Sequence, residues 1–134
     1  MANIADIEGI GGTYADKLSA AGVTSVEGLL EKGATSKGRA DLAAQTGISD
    51  KLVLKWVNHA DLFRIKGVAG EYAELLEAAG VDTVAELAQR NGANLAKALA
   101  EANEKKSLTR TVPSEAQVSK WVEEAKTLPR MVNY

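Results

Sequence analysis

Apolar positions along this chain recur at three- and four-residue spacing and seldom alternate. Tyr14, Ala15, Leu18 and Ala21 mark one face of a helix over about 12–21, and Gly22 follows as its stop. Ser25 is the expected N-cap of a second helix, with Val26, Leu29 and Leu30 on its inner face. A third helix is predicted over about 37–45. A fourth opens at Ser49, runs to about Phe63, and is expected to bury Leu52, Val53 and Trp56. The same punctuation returns further on. Thr83 with Glu86 fits a capping box, residues 93–104 read as a helix, and Ser114 with Gln117 opens a last helix that buries Val118, Trp121 and Val122. No stretch reads as a strand, so the fold class predicted is all-α.

That second pass is a copy of the first. Glu8-Gly9-Ile10-Gly11-Gly12 returns as Lys66-Gly67-Val68-Ala69-Gly70. Setting Gly9 against Gly67 aligns Ile7 with Ile65, Tyr14 with Tyr72, Leu18 with Leu76, and Ala20-Ala21-Gly22-Val23 with Ala78-Ala79-Gly80-Val81. Lys55-Trp56-Val57 matches Lys120-Trp121-Val122 once extra polar residues are allowed around Asn103–Thr111. Two tandem units are therefore expected, 1–64 and 65–134, packed as one compact body. Units this small have thin cores, so mutual burial is expected to support both.

Composition sharpens this picture in three places. Aromatic residues make up only 4% of the chain while Ala and Leu dominate, which favours thin, closely packed helices over strands. Sixteen Lys+Arg against eighteen Asp+Glu leave a formal charge of −2, without the basic surplus usual in a dedicated nucleic-acid binder. Cysteine is absent, so disulfides, thiolate metal sites and cysteine nucleophiles are excluded. No apolar run is long enough to cross a bilayer and no leader pattern stands at the start, so a cytoplasmic protein is expected.

Candidate chemistry centres on the two glycine turns. A Gly-x-Gly turn ahead of a helix presents bare backbone N–H groups to an anion without needing a charged side chain. The same glycines would also serve simply as tight connections, or as a face on which a peptide or partner helix docks. Trp56, Trp121, Tyr14 and Tyr72 are read as packing residues. His59 is the only histidine, and with no cysteine it has no partners for a metal site; no cofactor is expected. Its pairing with Asp61 fails because residues two apart on a helix do not face each other. No nucleophile–base set, phosphate loop or carboxylate pair stands out, so an enzyme is not expected.

The run Ile7-x-Gly9-Ile10-Gly11-x-x-x-Ala15-x-x-Leu18-x-x-Ala21-Gly22-Val23-x-Ser25 resembles a helix-hairpin-helix motif. Thr46-Gly47-Ile48-Ser49 is similar to the second hairpin of compact modules in DNA repair and recombination proteins, such as the recombinase N-terminal domain. The tandem copies most resemble DUF4332, a bacterial family of duplicated helix-hairpin-helix units. The resemblance implies DNA phosphate contacts from Gly9, Ile10, Gly11 and Gly12 with Lys17, and from Lys66, Gly67, Ala69 and Gly70 in the second copy. Lys32, Lys37, Arg39, Lys105, Lys106 and Arg110 would flank them. The departures are Ala69 in place of a glycine, which is expected to deny the second turn a cheap positive φ, Glu71 and Glu74 beside that turn, Glu8 and Asp16 beside the first, and Pro113 in the last hairpin. The expected function is weak, sequence-independent DNA binding, with a protein-interaction or scaffolding module as the alternative.

Overall fold

A computed structural model describes residues 2–134. Among them the architecture is all-helical: a 3₁₀ turn at Ile4–Asp6, then α1 (Gly12–Ala20), α2 (Val26–Lys32), α3 (Ser36–Thr46), α4 (Asp50–Leu62), α5 (Gly70–Ala78), α6 (Val84–Leu87), α7 (Gly92–Lys106) and α8 (Glu115–Ala125). Except for α1 and α5, the helices start where short polar side chains stand. Ser25, Thr35, Thr83, Asn91 and Ser114 each accept a hydrogen bond from a backbone N–H of the following turn, which satisfies a donor the helix itself cannot. Ser49 does the same for Leu52 at the start of α4.

The chain divides into two compact units. One runs to Asp61 and takes in Met131–Tyr134; the other is Leu62–Arg130. The boundary therefore falls ahead of the expected break between residues 64 and 65, and the last four residues group with the first unit instead of the second. In the first unit Ile7, Leu18, Val23, Leu29 and Trp56 are among the most deeply buried residues. In the second, Leu62, Ile65, Leu76, Leu87, Leu95, Val118 and Trp121 form the corresponding cluster. Leu52, expected inside, is only half-buried, while Val53 and Val57 on the adjoining face are covered.

Local devices recur between the units. Both α1 and α5 end in the same way: Gly22 (φ 86°) and Gly80 (φ 92°) are left-handed, and Val23 and Val81 donate back to Leu18 and Leu76 at 2.8 and 2.9 Å. This is the Schellman arrangement, which uses carbonyls the helix would leave unpaired. The differences lie where polar residues were added. α7 has 15 residues against 11 in α3, so part of the added length is helix and not loop. α3 closes on Gly47 (φ 74°), whereas α7 closes on Ser107, a serine held at φ 50°. The Thr83 box is also shifted: Glu86 reaches the N–H of Asp82 at 3.3 Å instead of the cap residue's own.

Candidate functional site

Each glycine turn is anchored by two buried apolar side chains, Ile7 and Ile10 in unit 1 and Ile65 and Val68 in unit 2. Between them the chain reverses in four residues. Ile10 N–H donates to Ile7 O at 3.2 Å, and Val68 N–H to Ile65 O at 3.1 Å. Gly9 (φ 93°) and Gly67 (φ 90°) occupy the third position, the left-handed site that a type II turn demands. A second constraint acts on the same glycines. The indole Nε1 of Trp56 lies 3.3 Å from where a Cβ on Gly9 would stand, and that of Trp121 lies 3.5 Å from the corresponding point on Gly67.

The residue two places on behaves differently. Gly11 and Ala69 are the N-caps of α1 and α5, with φ of −85° and −125° in extended backbone. Neither needs a positive φ. The expectation that Ala69 impairs its turn is corrected here, because the left-handed position belongs to Gly67. A Cβ at Gly11 would likewise meet nothing within 4 Å.

Neither cap residue has a side-chain acceptor, so α1 and α5 begin with uncapped first turns, unlike the side-chain-capped helices. Among the described residues no acceptor is bonded to the amides of Gly9, Gly11 or Gly12, nor to Trp56 Nε1 beside them. Ile10, which the resemblance included, spends its N–H inside the turn. Glu8 and Asp16 are exposed, and α1 carries no acidic residue in its first turn. Lys17 Nζ sits 5.8 Å from the Tyr14 ring centroid, and that ring packs on Trp56 at 4.9 Å in an edge arrangement. Cation, aromatic pair and turn thus form one continuous set of contacts.

Unit 2 keeps the turn and loses its surroundings. Glu124 on α8 accepts from Lys66 N–H at 3.1 Å, so a carboxylate of the chain occupies the approach to that turn. Glu71 lies in the first turn of α5, with Glu74 half-buried behind it. The residue aligned with Lys17 is Leu75, which is fully buried. Tyr72 packs on Trp121 at 5.3 Å, but its hydroxyl donates to Thr111 O at 3.2 Å, from the segment that unit 1 lacks.

The flanking basic residues do not form one group. Arg39 is corrected from that set: it is 7% exposed, and its guanidinium donates to Gly33 O and Asn133 O. Lys32 is exposed but turns its ammonium to Ala21 O at 2.9 Å, at the end of α1. Lys37 makes an exposed pair with Asp41 at 3.8 Å, a geometry worth little. Lys105 and Lys106 stand exposed in the last turn of α7, and Arg110 in the loop beyond. His59 and Asp61 are buried on α4. Glu124 was not identified from sequence, since its contact with residue 66 joins positions far apart in the chain.

The profile of DUF4332, described as a domain of unknown function, matches residues 8–128. The chain belongs to that family. No curated protein and no solved structure matches it.

Proposed function

We propose that this DUF4332 protein binds the phosphate backbone of DNA, weakly and without reading sequence, through the first glycine turn acting as a helix-hairpin-helix. The observation that carries this reading is the uncapped start of α1, whose amides at Gly9, Gly11 and Gly12 have no acceptor among the described residues and whose first turn holds no acidic residue. Such a helix start attracts anions through its unpaired donors and its dipole. Lys17, held on Tyr14, supplies a cation on the same helix. Amide donors position a backbone and carry no base information, so binding is indifferent to sequence. Lys66, Gly67, Ala69 and Gly70 contribute less, because Glu124 and Glu71 repel a phosphate there.

Fluorescence anisotropy of a labelled duplex tests this. Dissociation constants of ~10⁻⁴–10⁻⁶ M at physiological salt, and tighter at ~50 mM, are expected. With ~2–4 phosphates neutralised, affinity should fall about 10- to 200-fold at ~200 mM. Gly11→Glu puts a carboxylate into open space at the turn, so it should abolish binding while helical circular dichroism persists. An isotherm unchanged by Gly11→Glu, or no binding at ~50 mM salt, refutes the reading.

A second reading is a protein-interaction or scaffolding module of the same fold. The carboxylate of Glu124 on Lys66 N–H, together with the net charge of −2, favours it. Under this reading a partner shift in size-exclusion survives charge reversal at both turns.

A further inference from the structure

The segment Met131–Tyr134 belongs to unit 1 and is held there by specific groups. Asn133 N–H donates to Ala34 O at 2.8 Å, and Asn133 O accepts from Arg39 Nη2 at 2.8 Å, so both main-chain groups of one residue are read. Arg39 Nη1 meanwhile donates to Gly33 O at 2.9 Å. One guanidinium therefore joins the α2–α3 connection to the terminal segment. Val132 is 1% exposed, and the Tyr134 ring lies 5.9 Å from Arg39 Cζ. Beside Tyr134 a groove of about 360 Å³ continues along Ser36, Ala40, Asp50 and Leu54.

A desolvated guanidinium is costly unless its donors are used, and here one of its two acceptors comes from the terminal segment. An apolar socket, a main-chain reader and a cation under an aromatic ring are the parts of a peptide-docking surface. We infer that unit 1 carries a peptide-binding site whose occupant is the chain's own Met131–Tyr134 segment, acting as a removable clasp. The ligand class is a short peptide with an apolar residue, then a residue bound through both main-chain groups, then an aromatic. One buried side chain, two main-chain bonds and the contact of Tyr134 with Arg39 are set against the ordering of four residues, terms of comparable size that leave the closed and open states close in free energy. The site shares no residue with the glycine turns, and it stands whatever those turns bind.

A tethered segment has an effective concentration of ~1 mM, so a clasp closed nine times in ten requires an untethered Kd of ~0.1 mM or tighter. The probe is a fluorescein-labelled peptide of the sequence at 129–134, titrated into the full chain. Val132→Asp, whose carboxylate cannot enter the socket, should open the clasp and bind the peptide at ~0.1 mM or tighter. The wild-type chain should bind at least tenfold more weakly, because its own segment competes. Adding Arg39→Gln to Val132→Asp should remove binding. Asn133→Pro, which deletes the donor to Ala34 without introducing charge, should rank with Val132→Asp and guards against misfolding of either variant. Equal binding by wild type and Val132→Asp, or none by both opened variants at ~1 mM peptide, overturns the inference. So does a wild-type dimer in sedimentation that Val132→Asp dissolves, since a second copy's segment would then be the occupant.

Discussion

Gly9 and Gly11 are two residues apart and look equivalent in the sequence, yet only substitution of Gly9 should destabilise the fold. At Gly9, alanine would have to hold φ near 93°, a conformation that costs an L-residue about 1–2 kcal/mol. Its Cβ would also stand 3.3 Å from Trp56 Nε1, and the indole is 2% exposed and packed against Tyr14, so it has little room to retreat. Displacing that ring weakens an aromatic pair worth roughly 0.5–1.5 kcal/mol beyond its buried area. Gly9→Ala should therefore lose about 2–3 kcal/mol. At Gly11 the backbone is extended, the added methyl meets nothing, and unit 2 already carries Ala69 at the matching place. Alanine caps a helix less well than glycine, which costs a few tenths of a kcal/mol, but it also restrains the unfolded chain by about 0.4–1 kcal/mol. The net change for Gly11→Ala should lie within about 0.5 kcal/mol of zero. Urea unfolding followed by tryptophan fluorescence measures both, because Trp56 reports directly on the turn. Equal losses for the two variants, or none for Gly9→Ala, would refute the assignment of the left-handed position to Gly9 alone.

The same reasoning extends to two other positions. Glu124→Ala removes the acceptor on Lys66 N–H; it should cost about 0.5–1 kcal/mol at this half-exposed site and raise DNA affinity at low salt, read by urea unfolding and anisotropy on the same preparation. A methyl at Gly38 would run into the Lys32 carbonyl oxygen, a backbone atom that cannot step aside, so Gly38→Ala should lose about 1–3 kcal/mol despite helical φ; a stability equal to wild type would show that the α2–α3 connection yields freely.

What the sequence disclosed depended on whether the cause was local. Helix starts at Ser25, Thr83 and Ser114 were readable because the cap and the amide it serves lie within one turn. The Gly22 and Gly80 stops were equally readable, since a left-handed C′ residue is a matter of one φ angle. Arg39 and Glu124 were not. Both sit at surface-like positions by pattern, and each is redirected by a backbone group distant in sequence: Asn133 for Arg39, and residue 66 for Glu124. Ala69 was misjudged for another reason. Two glycines in one motif invite a shared explanation, whereas only the first sits where a side chain is strained.

The two units hold one turn in two electrostatic states, and comparing them separates shape from use. Gly9 and Gly67, with Trp56 and Trp121 behind them, show that the turn is a packing device in both: the glycine admits the indole, and the indole supports the turn. The bare amides match, since among the described residues Gly67, Ala69 and Gly70 have no acceptor either; what differs is the charge set around them. In unit 2 the chain supplies its own anion through Glu124, replaces the cation with Leu75, and fastens the Tyr72 hydroxyl with the added loop. Among the described residues of unit 1 none of these occurs, although a carboxylate at a helix start is a stabilising feature worth about 0.3–1 kcal/mol. Forgoing that stabilisation at one copy while taking it at the other is what an external anion at α1 would explain. Placing a Glu71-like acid in the first turn of α1, as Thr13→Glu, should therefore stabilise the fold by that amount and weaken DNA binding together. If Thr13→Glu leaves DNA affinity intact while raising stability, the uncapped start of α1 is an unexploited end and not a site.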